Sequence, residues 1–300
     1  MDVRVRPARI DDTDEVVSFT QDTWADRDAE DYLPDVFEEW VTSNDETQRT
    51  LVATAAETVV GVLQMRLLSP DEAWCQGMRV HPAYRGRGIS RVLTHQGWDW
   101  AADRGAAVAR NMVFGWNERA LAAAQGVGFE PTCAFRWAHP EPESTDERVE
   151  RDPHGPGAAW QYWQGSRTRS ALSGLAIDPE ETWALSLLRR EVLGNAADDG
   201  RLLTVGEDRI EGFAVRNRTF EREDEPWVEY AVAAWRDRSA AGALLELIRA
   251  DAASLDVTQT RIPVPETAAG LSHAAATGTR LADTADIVFT ADLSADYRNR

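Results

Sequence analysis

The chain has 300 residues, which is long for one average domain and enough for two that each bury a core. Its 51 acidic residues outnumber 32 basic ones, the formal charge is −19, and every basic residue is an arginine because the sequence contains no lysine. This balance argues against nucleic acid as a partner. It is typical of proteins from a salt-rich cytoplasm, such as that of a halophilic archaeon, although a GC-rich genome that replaces lysine codons with arginine codons produces it too.

Nothing in the sequence predicts a metal site or a membrane span. Cys75 and Cys133 show neither a pairing pattern nor metal-ligand spacing, so we expect inert buried thiols. The five histidines are scattered without a helical i, i+3 or i+4 relation. No run approaches the ~20 apolar residues of a membrane span, and the N-terminus lacks the basic and apolar regions of a signal peptide. We therefore expect a soluble, cytoplasmic protein.

The first 138 residues predict an alternation of strands and helices. In chain order the predicted elements are a strand at Val3–Pro7, helices opening at 11–13 and spanning 36–41, a hairpin of strands 51–55 and 59–68, and a strand at 74–80. They continue with a helix from 87, a strand at 106–114, a helix from 117 that ends at Gly126 or Gly128, and a strand at 129–137. Along the helix from 87, the stripe predicted to pack on the sheet is Ile89, Val92, Leu93, Gln96 and Trp100.

A glycine-broken turn joins the predicted strand that ends at Val80 to the helix that begins near Ile89. Gly86 and Gly88 carry no side chain, so ligand oxygens can approach the backbone, and glycine readily adopts the positive φ that such turns require. The start of a helix also offers unpaired N–H groups and the positive end of the helix dipole. The segment therefore predicts a diphosphate-binding site that needs no metal.

Residues 76–89 resemble the GCN5-related N-acetyltransferase family, whose pyrophosphate loop has the pattern Gln/Arg-x-x-Gly-x-Gly/Ala between a strand and a helix. The match here is Arg85-x-x-Gly88-x-Ser90, with serine as a departure at the last position. The order of elements over residues 1 to about 138 is also similar to that of the family. The resemblance implies a mixed α/β fold and acetyl-CoA as co-substrate, with an amine of a small molecule or peptide as the acyl acceptor.

The resemblance also implies which residues contact the cofactor. These are Met78, Arg79, Val80, Arg85, Gly86, Arg87, Gly88, Ile89, Ser90 and Asn117. In the family the cofactor arm lies along the strand before the loop, and Gly77 is placed where a bulge would splay that strand; a simple packing requirement explains Gly77 equally well. Asn117 is explained equally well as a helix cap. We expect Arg85 and Arg87 to pair with phosphates, because arginine near a helix start otherwise opposes the dipole.

The acid and base of the reaction are not assigned by the sequence. Gln76 stands where the family often has a carboxylate base, and Ala124 stands where it often has a tyrosine acid. Glu72 and Gln76 are the weak catalytic candidates, and in so acidic a chain the favoured interpretation of Glu72 is a solvated surface charge. Two functions stay open: an acyl-CoA dependent N-acyltransferase that works by direct attack in a ternary complex, and a catalytically inactive acyl-CoA sensor or regulatory module.

The second half of the chain predicts a degenerate copy of the first. Four short segments recur in the same order 151 to 167 residues later, after a stretch rich in proline and acidic residues. Asp237 and Ser239 stand where the first copy has Gly86 and Gly88, so we expect no cofactor there. The predicted organisation is an acetyl-CoA-binding domain at 1–138, a linker at 139–165 and a degenerate domain at 166–300. Whether the second copy walls the substrate cleft or only adds stability stays open.

Overall fold

The computed structural model describes residues 2–24, 31–144, 154–295 and 297. The chain divides into two compact units. The N-terminal unit consists of Met1–Val113, Asn117–Pro131 and Phe289–Arg300, and the C-terminal unit consists of Phe114–Trp116 and Thr132–Val288. No helix in the described ranges is long and apolar enough to cross a membrane.

The elements of the first half follow the predicted order. They are β1 (Val3–Pro7), α1 (Thr13–Thr20), α2 (Leu33–Thr42), β2 (Gln48–Ala55), β3 (Thr58–Ser69), β4 (Glu72–Val80), α3 (Ile89–Ala102), β5 (Val108–Phe114), α4 (Glu118–Val127) and β6 (Glu130–His139). The predicted alternation of strands and helices is thus confirmed, with boundaries shifted by one to three residues at most ends. Asn117 caps α4 through its side chain, and Gly128 ends that helix with a left-handed φ of 111°.

The sheet of the N-terminal unit runs in the order β1-β2-β3-β4-β5. Neighbours are antiparallel from β1 to β4, whereas β4 and β5 are parallel, so the sheet is mixed. On one face, α1 and α2 bury a cluster around Val16, Leu33 and Phe37. The helix α3 packs closely on β3, where a Cβ added to Gly61 would lie 2.9 Å from the side chain of Leu93. This packing holds the start of α3 beside the end of β4.

The end of the chain completes the N-terminal unit. Strand β14 (Asp286–Asp292) belongs to this unit from Phe289 onward. After the strand, the Leu293 N–H donates to the Ala107 carbonyl at 2.8 Å. Tyr297 packs edge-on against Trp98 of α3 with ring centroids 5.1 Å apart, and its hydroxyl donates to Asp99 Oδ1 at 2.6 Å. The helix whose start forms the predicted diphosphate site is thus held in part by the final residues of the chain.

The C-terminal unit contains the remaining elements. They are α5 (Pro156–Gly165), α6 (Arg167–Ala171), β7 (Leu175–Ile177), β8 (Leu185–Leu187), α7 (Arg190–Asp198), β9 (Leu202–Val205), β10 (Gly212–Arg222), β11 (Glu225–Trp235), α8 (Arg238–Ala253), β12 (Gln259–Pro265), α9 (Ala268–Ala275) and β13 (Arg280–Leu281). Its sheet runs β6-β12-β11-β10-β9. The hairpin β10–β11, the parallel pair β11–β12 and helix α8 repeat the arrangement of β3–β4, β4–β5 and α3.

Two features of this half differ from the sequence-based picture. Part of the range predicted as a linker forms α5, which starts with Pro156 in the first turn and buries Ala159 and Trp163. The sequence did not predict this helix, because the segment is rich in proline and the large apolar residues of the helix are few and aromatic. The last residues, from Phe289, group with the N-terminal unit although they lie in the range predicted for the second domain. The domain boundaries expected from the sequence, 1–138, 139–165 and 166–300, stay a prediction.

Asp286 gives the C-terminal unit a pH-dependent stability. It is buried and accepts a hydrogen bond from Trp137 Nε1 at 3.0 Å. Burial is the largest effect and raises the pKa of its carboxyl to about 6, against the lowering by Trp137, the Gly115 N–H and Arg261. Since the folded protein holds this proton more tightly than the unfolded chain, the associated stability is present below pH 4 and is lost as pH rises through about 6.

We expect Asp286→Asn to stabilise the protein by up to about 3 kcal/mol at pH 8, because the amide still accepts from Trp137 and carries no charge. The gain should shrink toward pH 5, where the wild-type carboxyl is largely protonated. Thermal unfolding at both pH values tests this, with Asp208→Asn as a control at an exposed acid of the same unit. A gain of the same size at both pH values would contradict the assignment.

Candidate functional site

The turn before α3 is an open backbone surface. Gly86 and Gly88 have φ values of 73° and 77°, which glycine adopts without strain and other residues rarely do. A Cβ placed on either residue meets no heavy atom within 4 Å, so the space in front of the turn is empty. Both glycines are exposed, and within the described chain no side chain caps the start of α3. The predicted cradle therefore has the accessible backbone that a diphosphate requires.

The two loop arginines are turned toward the loop itself. Arg85 Nε donates to the Val80 carbonyl at 3.1 Å. Arg87 Nη2 donates to the Ala83 carbonyl at 3.3 Å, and its guanidinium lies 5.3 Å from the centre of the Tyr84 ring. Both side chains are exposed, so they can exchange these contacts for a phosphate. Of the adjoining positions predicted to contact the cofactor, Ile89 is buried and Ser90 is half-buried.

Strands β4 and β5 separate next to this turn. Their parallel pairing covers three residues on each strand and ends at Trp74 opposite Arg110. Beyond that point β4 contains a bulge at Gly77, where φ is 66° and the register against β3 shifts. A Cβ at Gly77 would lie 2.5 Å from Trp40, so the bulge and the packing requirement both apply to this glycine. The result is a split between two parallel strands that starts beside Gln76.

The edge of β4 that faces the split comes from Met78 and Val80. The His81 N–H donates to the Val60 carbonyl on β3, and successive strand residues point their backbone groups to opposite edges. Arg79 therefore faces β3 through its backbone, whereas Met78 and Val80 face the other way. All three are half-buried. This is the geometry that an extended ligand arm needs in order to pair with a strand.

Asn117 is engaged as a helix cap, since its Oδ1 accepts from the Ala120 N–H at 3.1 Å. Of the catalytic candidates, Glu72 is 1% exposed and forms an ion pair with Arg110, so solvent and substrate do not reach its carboxylate. Gln76 is half-buried, and its Nε2 donates to Gln64 Oε1 at 2.6 Å. The structure thus brings Gln76 to the split and buries Glu72 away from it.

A second group of residues near the split has no signature in the sequence. Asp31 is buried and binds Arg79 with both oxygens, at 2.7 Å from Nε and 3.0 Å from Nη2. The Arg79 guanidinium also lies 4.8 Å from the centre of the Trp24 ring and 5.6 Å from that of Tyr32. The chain contains many aspartates, so the sequence does not single out Asp31. Its ion pair with Arg79 on β4, far away along the chain, is what distinguishes it. The pair ties the segment before α2 to the strand that borders the split.

The equivalent region of the C-terminal unit is closed. Asp237 Oδ1 accepts from the N–H groups of Ser239 and Ala240 at 3.0 and 3.1 Å, so the chain itself occupies the start of α8. The residues of β11 from Tyr230 to Trp235 are all buried, in contrast to the half-buried end of β4. Glu229, which corresponds to Gln76, is buried against Arg218 and Arg261.

Within the part of the chain that the structure describes, no group of three or more His, Cys, Asp or Glu side chains is arranged to hold a metal ion. Burial raises the pKa of the Cys75 thiol to about 12. Cys133 is also buried and forms no disulfide. The raised pKa of Cys75 argues against that thiol as a nucleophile at neutral pH.

Comparison with known proteins agrees with this geometry. Residues 13–129 match the model of the Acetyltransferase (GNAT) family. A GCN5-related N-acetyltransferase from Sphaerobacter thermophilus is 15% identical with a TM-score of 0.61, over 97% of this chain and 96% of that one. A tandem GNAT protein from the clavulanic acid biosynthesis pathway is 15% identical with a TM-score of 0.53, over 97% and 99%. No curated protein matches the sequence significantly.

At these identities the likeness establishes the fold and leaves the substrate open. The match to the family model ends at residue 129, just before β6, and it includes the turn at Gly86–Gly88 and the split between β4 and β5. The chain is therefore a mixed α/β protein whose residues 13–129 match the model of the Acetyltransferase (GNAT) family and whose whole length has the fold of these GNAT structures, one of which is a tandem GNAT protein.

Proposed function

We propose that the protein is an N-acyltransferase that moves an acetyl group from acetyl-CoA to a primary amine by direct attack in a ternary complex. The observation that carries the proposal is the open turn at Gly86 and Gly88 at the start of α3, next to the split between β4 and β5. The turn offers backbone N–H groups to a diphosphate, and the β4 edge offers Met78 and Val80 to the arm. The acceptor is a small molecule or a peptide.

The transfer needs no covalent enzyme intermediate. The amine nitrogen forms a bond to the acyl carbon, the carbon–sulfur bond breaks, and the amine loses one proton while the sulfur leaves as a thiol. Holding the two reactants in line can lower the barrier by about 7–11 kcal/mol without an assigned acid or base. The residues that hold the cofactor are then those of the turn and of the β4 edge, with Arg85 and Arg87 released toward the phosphates.

We also propose that each chain has one cofactor site and works in a salt-rich cytoplasm. The self-capped start of α8 and the buried β11 support a single site, because both positions that would receive a cofactor are filled by the chain. The formal charge of −19 supports a salt-rich setting. Near 1 M salt the Debye length is about 3 Å, so short-range hydrogen bonds from the backbone must dominate the affinity.

Two measurements in high salt test the proposal. Calorimetric titration with coenzyme A should give one binding event per chain. Incubation with acetyl-CoA and a panel of primary amines should release free thiol that depends on the amine. Binding without thiol release for any amine would favour an acyl-CoA sensor instead, and the absence of binding would rule out both functions.

A further inference from the structure

The turn that precedes α3 packs against the N-terminal unit through two aromatic side chains. From Pro82 to Gly88 every residue is exposed except Tyr84, which is half-buried, and His81, where the turn begins, is half-buried as well. An exposed turn that contains two glycines has many conformations open to it, so its shape depends on the contacts that hold it. Among its side chains, His81 and Tyr84 are the ones that pack the turn against the unit.

His81 shapes the first part of the turn through a hydrogen bond. Its Nδ1 accepts from the Ala83 N–H at 3.1 Å, which makes His81 the side-chain cap of the short helical turn Pro82–Tyr84. The Tyr84 N–H donates to the His81 carbonyl at 2.9 Å, so the side chain and the main chain of one residue both hold this turn. Because a ring nitrogen that accepts a hydrogen bond carries no hydrogen, the imidazole is neutral and its hydrogen is on Nε2.

The ring of His81 contacts two other aromatic rings. Its centroid lies 5.6 Å from that of Phe19 on α1 and 5.3 Å from that of Tyr84, which it meets edge-on. Phe19 is buried and belongs to the cluster that α1 and α2 form on the sheet. The histidine therefore connects the exposed turn to the packed interior of the N-terminal unit.

Tyr84 extends this connection to an arginine of the turn. The Arg87 guanidinium lies 5.3 Å from the centre of the Tyr84 ring, within the range of a cation–π interaction. Arg87 comes directly before Gly88, the residue that precedes α3, and both belong to the turn proposed to bind the diphosphate. A series of contacts thus leads from Phe19 through His81 and Tyr84 to a proposed phosphate ligand.

We propose that His81 is a positioning residue for the diphosphate of the cofactor: its Nδ1 sets the backbone of the turn, and its ring holds Tyr84 beside Arg87. This inference rests on the proposed function. The turn then has its binding shape before the cofactor arrives, so less conformational freedom is lost on binding. The effect is confined to one part of the ligand. Loss of His81 should weaken binding of the diphosphate and leave binding of the arm along β4 unchanged.

The test compares two thioester donors with the wild-type protein and His81→Ala, in high salt. Acetyl-CoA has both the arm and the diphosphate, whereas S-acetylpantetheine has the arm alone. We expect His81→Ala to raise KM for acetyl-CoA, and Kd for coenzyme A by calorimetry, by about tenfold, which corresponds to about 1.4 kcal/mol. KM for S-acetylpantetheine should change by less than about twofold. An equal loss for both donors would show a general structural role and overturn the inference.

A conservative variant tests the hydrogen bond with coenzyme A alone. In His81→Asn the side-chain oxygen can accept from the backbone N–H two residues later, as asparagine commonly does in turns. We expect affinity within about threefold of wild type, because the bond to Ala83 is restored and only ring contacts are lost. His273→Ala is the matched control, since His273 Nδ1 also accepts a hydrogen bond, from Trp235 Nε1 at 3.2 Å, in the C-terminal unit. If His81→Asn binds as weakly as His81→Ala, the inference is wrong.

The connection through Tyr84 is tested with Arg87. Arg87→Ala should weaken coenzyme A binding, and in that background His81→Ala should cost clearly less than the tenfold expected in the wild type, because the arginine that it positions is gone. Calorimetry on the two single variants and the double variant measures this difference. Fully additive losses would contradict the connection and with it the inference.

Failure of the proposed function is recognised separately. If wild-type protein binds no coenzyme A, the proposed function is wrong and this inference ends with it. If wild-type protein binds coenzyme A and His81→Ala binds it equally well, only the inference is wrong. Thermal unfolding shows whether each variant is folded at the temperature of the titration. If His81→Ala is not, His81→Phe takes its place, because it keeps the ring and removes the acceptor, and its affinity for coenzyme A should also fall.

Discussion

Replacing Gly88 with glutamate should weaken coenzyme A binding by about 100-fold or more while the fold persists. The added side chain fills the space in front of the turn, where a Cβ now meets nothing within 4 Å, and brings a negative charge to the place proposed for the diphosphate. Like charges in such a position cost several kcal/mol, and 1.4 kcal/mol corresponds to a factor of ten. The left-handed φ of 77° adds about 1–2 kcal/mol of backbone strain, which leaves a stable domain folded.

The C-terminal unit supplies the matched control. Ser239→Glu places the same charge in the first turn of α8, at the position that corresponds to Gly88, and glutamate is favourable near a helix start. Calorimetry with coenzyme A should give wild-type affinity for Ser239→Glu and little or no heat for Gly88→Glu. Equal affinity of both variants would contradict the site at α3. Loss of binding in Ser239→Glu alone would move the site to the C-terminal unit.

Removal of the last residues of the chain should unfold the N-terminal unit. The segment from Phe289 contributes Ala291, Leu293 and Tyr297 to that unit, and all of these side chains are buried. Tyr297→Ala should cost about 3–5 kcal/mol, as for other large aromatic side chains, because Trp98 loses its edge-on partner. Tyr297→Phe keeps the ring and loses only the bond to Asp99, so it should cost about 1.5 kcal/mol.

Urea unfolding followed by tryptophan fluorescence measures these costs, and coenzyme A affinity reports on the N-terminal unit. Ser294→Ala is the control on the same segment, because Ser294 is exposed and its hydroxyl donates to the neighbouring Asp292. Its effect should stay within about 0.5 kcal/mol. If a chain that ends at Val288 keeps both its unfolding transition and its affinity, the assignment of the tail to this unit is wrong.

Local sequence patterns predicted the strands, the helices and the turn, because these features depend on interactions between residues that are close together in the chain. Alternating apolar residues gave β1 to β4, and two glycines before a helix gave the turn at Gly86 and Gly88. The buried stripe of α3 was predicted less well. The structure buries Thr94, Gly97 and Trp98 with Ile89 and Leu93, and it leaves Val92 42% exposed.

The reason lies on strand β3, which packs against α3 and whose side chains cannot be deduced from the sequence of the helix. Met65 of β3 projects to Gly97, where an added Cβ would lie 2.7 Å from its Cγ, so the side of α3 that contains Gly97 can approach this strand closely. The partners of Gln76 and Arg79 were missed for the same cause. Thr50, Gln64 and Asp31 are 12 to 48 residues away along the chain. The sheet register brings Thr50 and Gln64 to Gln76, and the placement of the segment before α2 brings Asp31 to Arg79.

The placement of Phe289–Arg300 in the N-terminal unit has a consequence for how the protein is made. The ribosome finishes the other parts of that unit at Pro131 and then adds roughly 160 residues before Phe289 emerges. At about 5–20 residues per second this interval lasts about 8–30 s, during which the nascent first half lacks its closing strand. The N-terminal unit therefore completes its packing only after the C-terminal unit has been synthesised, and a chain cut before Phe289 lacks this last part of the unit.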